Sequence, residues 1–163
     1  MKEVLIIRSV SFQQLDLNLA AIRRQYRDCR LSVLTHEHGL LLAQKYQDID
    51  QVYVYPFKGG FSYWRRSKEL RKKAFDTVII PVSNLSGVGF ANVLFYSLSL
   101  KCKSRVICNL VSELKPVAAW HIVYYSIINK IWSVLALLGT MILAIPVLLA
   151  LPFCLKKIEK TGD

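Results

Sequence analysis

"EVLIIRSVSFQQLDLNLAAIRRQY", residues 3–26, runs from an apolar segment through a short polar loop into an amphipathic one. "EVLIIR" (3–8) reads as a buried strand. From Gln13 to Tyr26, Leu15, Leu19 and Ile22 recur at helical spacing. Arg23 and Arg24 stand near the helix end that favours cations. Strand, loop and helix in this order make the first unit of an α/β sheet. The loop between them carries Gln13 and Gln14 and offers no glycine, acid or base.

The same unit repeats along the chain. "LSVLT" (31–35) is a second strand, followed by a predicted helix from Glu37 to Tyr46. "QVYVY" (51–55) is a third strand, closed by Pro56 and the Gly59-Gly60 pair. "SYWRRSKELRKKA" (62–74) predicts a strongly cationic helix, and "DTVIIPV" (76–82) a fourth strand. "NLSGVG" (84–89) is a loop, Phe90 to Leu100 a helix and "SRVICN" (104–109) a fifth strand. Right-handed crossovers then give a five-stranded parallel doubly wound, Rossmann-like sheet over residues 1–115, in order 3-2-1-4-5. Ligands in such sheets bind beyond the carboxyl ends of the strands. Three loops meet there: 9–14, 81–89 and 109–115.

Beyond Pro116 the character changes. "VAAWHIVYYSIIN" (117–129) is apolar but carries Trp120, His121, Tyr124 and Tyr125, aromatics whose polar tips suit a headgroup boundary. Residues 116–130 therefore read as an interfacial helix. "IWSVLALLGTMILAIPVLLALPFCL" (131–155) has no charged residue in 25 positions, long enough as a helix to cross a hydrocarbon core of about 30 Å. It is a spanning or re-entrant segment that Pro146 and Pro152 would kink or break. A basic tail, 156–163, follows. The N-terminal apolar run is only four residues before Arg8, with no small-residue cleavage site. The expected location is the inner (cytoplasmic) membrane with the N-terminal domain on the cytoplasmic side.

Of the 22 Lys and Arg residues 19 precede Ile131, against nine of the 11 acids, so the α/β part holds most of the net charge of +11. That field favours anionic partners, of which anionic membrane lipid is the nearest. Arg65, Arg66, Lys68, Arg71 and Lys72 are the headgroup candidates. Nucleic acid is not an expected partner: Tyr63 and Trp64 stand beside the charge, but the rest of the chain points to a bilayer.

Cys29, Cys102, Cys108 and Cys154 show no C-x-x-C spacing, which supports neither a disulfide framework nor a zinc site. Thr35-His36-Glu37-His38 is the most metal-like cluster, but it reads better as solvated residues at a helix start; no metal and no cofactor is expected. "PVSNLSGVGFAN" (81–92) sets Ser83, Asn84 and Ser86 at a strand end, where backbone donors suit a phosphate or a sugar hydroxyl. It matches neither G-x-x-x-x-G-K-[ST] nor G-x-G-x-x-G, which argues against ATPase and dinucleotide-dehydrogenase chemistry.

"VLIIRSVSFQQLDLNLAAIRRQYRDCRLSVLT" (4–35), "YQDIDQVYVY" (46–55) and "LRKKAFDTVIIPVSN" (70–84) together resemble the N-terminal, acceptor-side half of the heptosyltransferases. These are family-nine glycosyltransferases of lipopolysaccharide synthesis with the two-domain GT-B fold. The likeness covers about residues 3–110. It lays Arg8, Ser9 and Ser11 on the family's Arg and loop polar positions, and Gln13-Gln14 on its Gly-Asp. The family's Asp is the proposed base for the acceptor hydroxyl, and an amide cannot take that proton near neutral pH. After strand 5 the chain enters its apolar segment where the family continues into a donor-binding domain.

The resemblance thus implies a membrane-anchored glycosyltransferase-like half domain in cell-surface polysaccharide or lipopolysaccharide assembly, non-catalytic alone or one part of a split enzyme. Its partners would be membrane lipid and either a donor-domain protein or a lipid-linked saccharide. Two alternatives stand beside it. One is an active transferase on a lipid-linked acceptor, with Asp16, Glu37, His38 or Glu113 as base. The other is an adaptor that binds anionic lipid through its cationic helix.

Overall fold

In a computed structural model, which describes residues 1–87 and 89–161, the chain forms an α/β unit and a long apolar helix. The side chains of Lys68, Asn129 and residues 146–161 lie outside the described residues. The expectations for Lys68 as a headgroup contact, for Cys154 and for the lysines of the tail fall there. The chain divides into two compact units, Met1–Val123 and Tyr124–Asp163.

The first unit holds strands β1 (Lys2–Ile7), β2 (Cys29–His36), β3 (Gln51–Tyr55), β4 (Ala74–Pro81), β5 (Lys101–Cys108) and β6 (Leu114–Pro116). They form one sheet in the order β3-β2-β1-β4-β5-β6. The first five are parallel, with Val4 opposite Leu31 on one side and Thr77 on the other. The expected order 3-2-1-4-5 is present, but the sheet has six strands rather than five. β6 runs antiparallel to β5, Cys108 facing Leu114. Three residues ending in Pro116 give too short a periodic signal to read, and proline is accepted there because β6 is an edge strand.

Helix α1 (Phe12–Gln25) begins where the Ser11 hydroxyl accepts the Gln14 N–H at 3.3 Å. Its buried face is Gln14, Leu15, Asn18, Leu19 and Ile22. Alternate β1 residues point to opposite faces of the sheet. Val4 and Ile6 pack with Leu15, Leu19 and Ile22, while Leu5 and Ile7 pack with Tyr55, Phe61, Leu70, Val93 and Tyr96. Every residue from Val4 to Ile7 is buried, because helices cover both faces of a parallel sheet.

Three predicted helices are shorter than their sequence pattern. The stretch expected to be helical from Glu37 to Tyr46 is a single 3-10 turn at Glu37–Gly39 followed by α2 (Leu40–Ala43). The cationic helix expected over 62–74 is only α3 (Lys68–Lys72). There Ser67 takes the N-cap, its hydroxyl accepting the Leu70 N–H at 3.2 Å. Lys73 leaves helical backbone, and its ammonium donates to Gln51 Oε1 at 3.2 Å and to the Tyr53 hydroxyl. Helix α4 spans Ala91–Leu98.

Helix α5 (Ala119–Thr161), whose first five residues belong to the first unit, is one helix without an interruption at residue 130. The sequence separates an interfacial helix from an apolar segment there, yet Asn129-Lys130 is not a helix breaker. The helix also continues through Pro146 and Pro152, where the sequence predicts a kink or break. Ala119–Ile145 is long and apolar enough to span a membrane.

Candidate ligand-binding site

β1 lies between β2 and β4, and the helices that follow β1 and β4 pack on opposite faces. Their loops therefore diverge at the carboxyl ends and open a crevice. A cavity of about 330 Å³ occupies it, lined by Arg8, Ser9, His36, Phe61, Phe90 and Asn92 among others. A larger cavity of about 780 Å³ adjoins it through the shared His36 and Gly60, and its wall includes Glu37, His38, Tyr55, Phe57 and Lys58.

Arg8 is the best-positioned side chain in the crevice. Its Nε donates to Thr35 Oγ1 at 2.8 Å, Nη1 to the Val10 carbonyl at 3.1 Å and Nη2 to His38 Nε2 at 3.2 Å. A guanidinium has no acceptor, so His38 receives that bond on an unprotonated Nε2. The Phe12 ring lies 4.6 Å from the guanidinium carbon. Gly39 closes the other approach: a Cβ there would meet Thr35 Oγ1 at 2.4 Å and Arg8 Nη2 at 3.2 Å. Among the described residues no carboxylate pairs with Arg8. Partial burial holds its pKa below the usual arginine value.

His36, at the end of β2, joins the two cavities. Its Nε2 donates to the Gly59 carbonyl at 2.9 Å, and its ring stacks on His38 with centroids 5.6 Å apart. Phe61 and Tyr55 lie at 4.6 and 5.3 Å. Burial pushes the His36 pKa down, opposed by the bond to Gly59 and reinforced by His38 and Arg8.

The residues picked out in the sequence separate into groups. Arg8 and Ser9 line the smaller cavity, although the Ser9 hydroxyl already donates to the Pro81 carbonyl. Ser11 caps α1, and Gln13 is exposed outside both cavity walls. Gln14 is buried: its Nε2 donates to Asn18 Oδ1 at 2.9 Å and to the Leu110 carbonyl at 3.1 Å. It ties α1 to the β5–β6 connection. Ser83 and Ser86 are exposed, and Asn84 Oδ1 accepts the Gly87 N–H at 2.6 Å, shaping its own loop.

The headgroup candidates do not share one helical face, because Arg65 and Arg66 precede α3. Arg66 donates to the Ser99 carbonyl at 2.7 Å and closes the end of α4. Arg65, Arg71 and Lys72 are exposed.

The carboxylates are occupied or distant. Asp16 accepts the Tyr46 hydroxyl, whose pKa is pushed up to about 12 by burial and by that carboxylate. Glu113 accepts from Lys115 at 2.8 Å and Asn109 at 2.9 Å, contacts that hold its pKa down. Glu37 lines the larger cavity, and no Asp or Glu lines the smaller one among the described residues. Nor do three or more His, Cys, Asp or Glu side chains gather in a metal-binding group among them.

Sequence reading picks out His38 only as a candidate base, and misses His36 as a cavity residue and Thr35 and Gly39 as supports of Arg8. The Thr-His-Glu-His run is visible, but its spacing raises the question of a metal and not of a partnership with Arg8. No protein-family model, curated protein or solved structure matches this chain.

Proposed function

We propose that this chain is a membrane-associated, glycosyltransferase-like half domain that binds a saccharide on the acceptor side and does not transfer a sugar by itself. Gln14 carries the reading. At the position where the resemblance sets a catalytic Asp, its amide is buried and committed to Asn18 and Leu110. The strand order β3-β2-β1-β4-β5 supports a Rossmann-like domain of the kind at the N-terminus of GT-B enzymes. The crevice supports a polar ligand: Arg8, Ser9 and His36 supply polar groups, and the partly exposed Phe57 supplies ring surface.

In this reading the inner membrane holds α5, and the α/β unit works on its cytoplasmic side. A donor-domain protein or a lipid-linked saccharide completes the reaction of a split enzyme in lipopolysaccharide or polysaccharide assembly. The test is saccharide retention by the full chain in nanodiscs. Lipopolysaccharide core oligosaccharides should give saturation-transfer signals that depend on Phe57, and the absence of such signals would remove the reading.

A second reading, an adaptor for anionic lipid, draws on Trp64, which is 83% exposed beside Arg65. It predicts that residues 1–123 float with anionic but not neutral vesicles. Arg65→Glu together with Arg71→Glu should abolish that flotation.

A further inference from the structure

Building on the saccharide-binding reading, we infer that the ligand is a phosphorylated sugar, its phosphate seated on Arg8 and its ring lodged in the larger cavity beside His38 and Phe57. A guanidinium offers five N–H groups. Arg8 directs three of them to neutral acceptors: the Thr35 hydroxyl, the Val10 carbonyl and the His38 imidazole. Two donors remain on a group that lines the smaller cavity.

Other partly buried arginines of this unit have plain structural work. Arg66 and Arg105 close carbonyls at the end of α4, and Arg23 pairs with Asp48 and Asp50. Arg8 has no such anion, yet its plane is fixed between the Phe12 ring and Gly39. A half-buried cation that no carboxylate pairs with among the described residues is matched to an anion that arrives from outside.

A second feature favours the same charge. Helix α4 begins at this cavity, where Phe90, Asn92 and Val93 line the wall, and no side chain caps its first turn. Its amide donors and dipole attract negative charge. Phosphate suits the two free donors of Arg8 and leaves further oxygens for the cavity, which a carboxylate does not. His38 ties the two halves of the site: it bonds Arg8 and lines the larger cavity. At about 780 Å³ that cavity is within the range of roughly 300–1,000 Å³ usual for small-molecule sites.

The experiment is calorimetric titration of the full chain in uncharged detergent micelles with glucose 1-phosphate, inorganic phosphate, glucose and micelle-borne phosphatidic acid. The expected order is glucose 1-phosphate tightest, phosphate next and glucose weakest. Arg8→Gln should weaken both phosphate ligands by roughly 10- to 100-fold and leave glucose unchanged. Arg8→Lys, which keeps the charge and loses the fork, should weaken them by about tenfold.

Should either variant fail to fold, the wild-type Arg8 Nε–H resonance supplies the readout, since it must shift on phosphate addition. An unmoved resonance, or phosphate affinity unchanged in Arg8→Gln, overturns the inference. Phosphatidic acid binding as tightly as glucose 1-phosphate overturns the sugar half of it. Glucose or oligosaccharide binding without any phosphate effect sinks this inference alone, whereas silence from every ligand also sinks the saccharide reading.

Discussion

Replacing Gln14 by Glu tests why the first loop carries an amide. The substitution keeps size and shape but turns a donor into a carboxylate oxygen, which then faces Asn18 Oδ1 and the Leu110 carbonyl at about the present 2.9 and 3.1 Å. Two donated bonds are lost, about 1 kcal/mol each, and a buried charge without a partner costs a further 1–3 kcal/mol or so. The expected loss is therefore about 3–5 kcal/mol at pH 8, a large share of a typical domain stability of roughly 5–15 kcal/mol.

The sign of its pH dependence follows from burial. The folded-state pKa of the new carboxyl is raised above its unfolded value of about 4.3. Stability is thus retained below that value and falls as pH rises toward the folded pKa. Urea unfolding of the full chain in micelles, followed by near-UV circular dichroism of the packed tyrosines, measures it at both ends. A Gln14→Glu variant within 1 kcal/mol or so of wild type at pH 8, or one that gains sugar transfer, would refute the structural role assigned to Gln14.

Gly39→Ala drives a methyl group against the buried Thr35 hydroxyl and the Arg8 guanidinium, and should cost about 2 kcal/mol in the same unfolding assay. Tyr96→Phe removes a buried hydroxyl that has no hydrogen-bond partner among the described residues, so it should leave stability unchanged or raise it by about 1 kcal/mol; a clear loss would reveal a partner. His36 has its pKa lowered by burial, so its contribution is full above the unfolded value of about 6.5 and is lost as pH falls through the folded one. His36→Gln should accordingly flatten the urea midpoint between about pH 7 and pH 5. Full-length chain should resist alkaline carbonate extraction from membranes, and deletion of residues 119–161 should release it.

The architecture is legible in the sequence because its signals are redundant. Each parallel strand is a short apolar run, and Leu15, Leu19 and Ile22 repeat so regularly that α1 is displaced by only one residue from its expected span. Elements that depend on contacts from distant parts of the chain are not legible. Lys73 is drawn off the cationic helix by Gln51 and Tyr53, about 20 residues away in sequence, and no local pattern announces that. Position 39 requires a glycine because Arg8 and Thr35, both distant or outside any helical repeat, occupy the space a side chain would need.

The site shows the same division. Arg8, Ser9 and His38 stand out in the sequence, whereas His36 joins the site only because β2 lies beside β1. The chemical inertness of the Gln14 amide is plain from its residue type, but its inward orientation toward Leu110 is a long-range contact that the sequence alone does not contain.

The most direct test of the proposed function is a transfer assay on the full chain in nanodiscs, with radiolabelled nucleotide sugars and a lipid-linked acceptor. The chain should retain phosphorylated saccharide while labelling of the acceptor stays at the protein-free background. Repeated turnover by the chain alone would contradict that function.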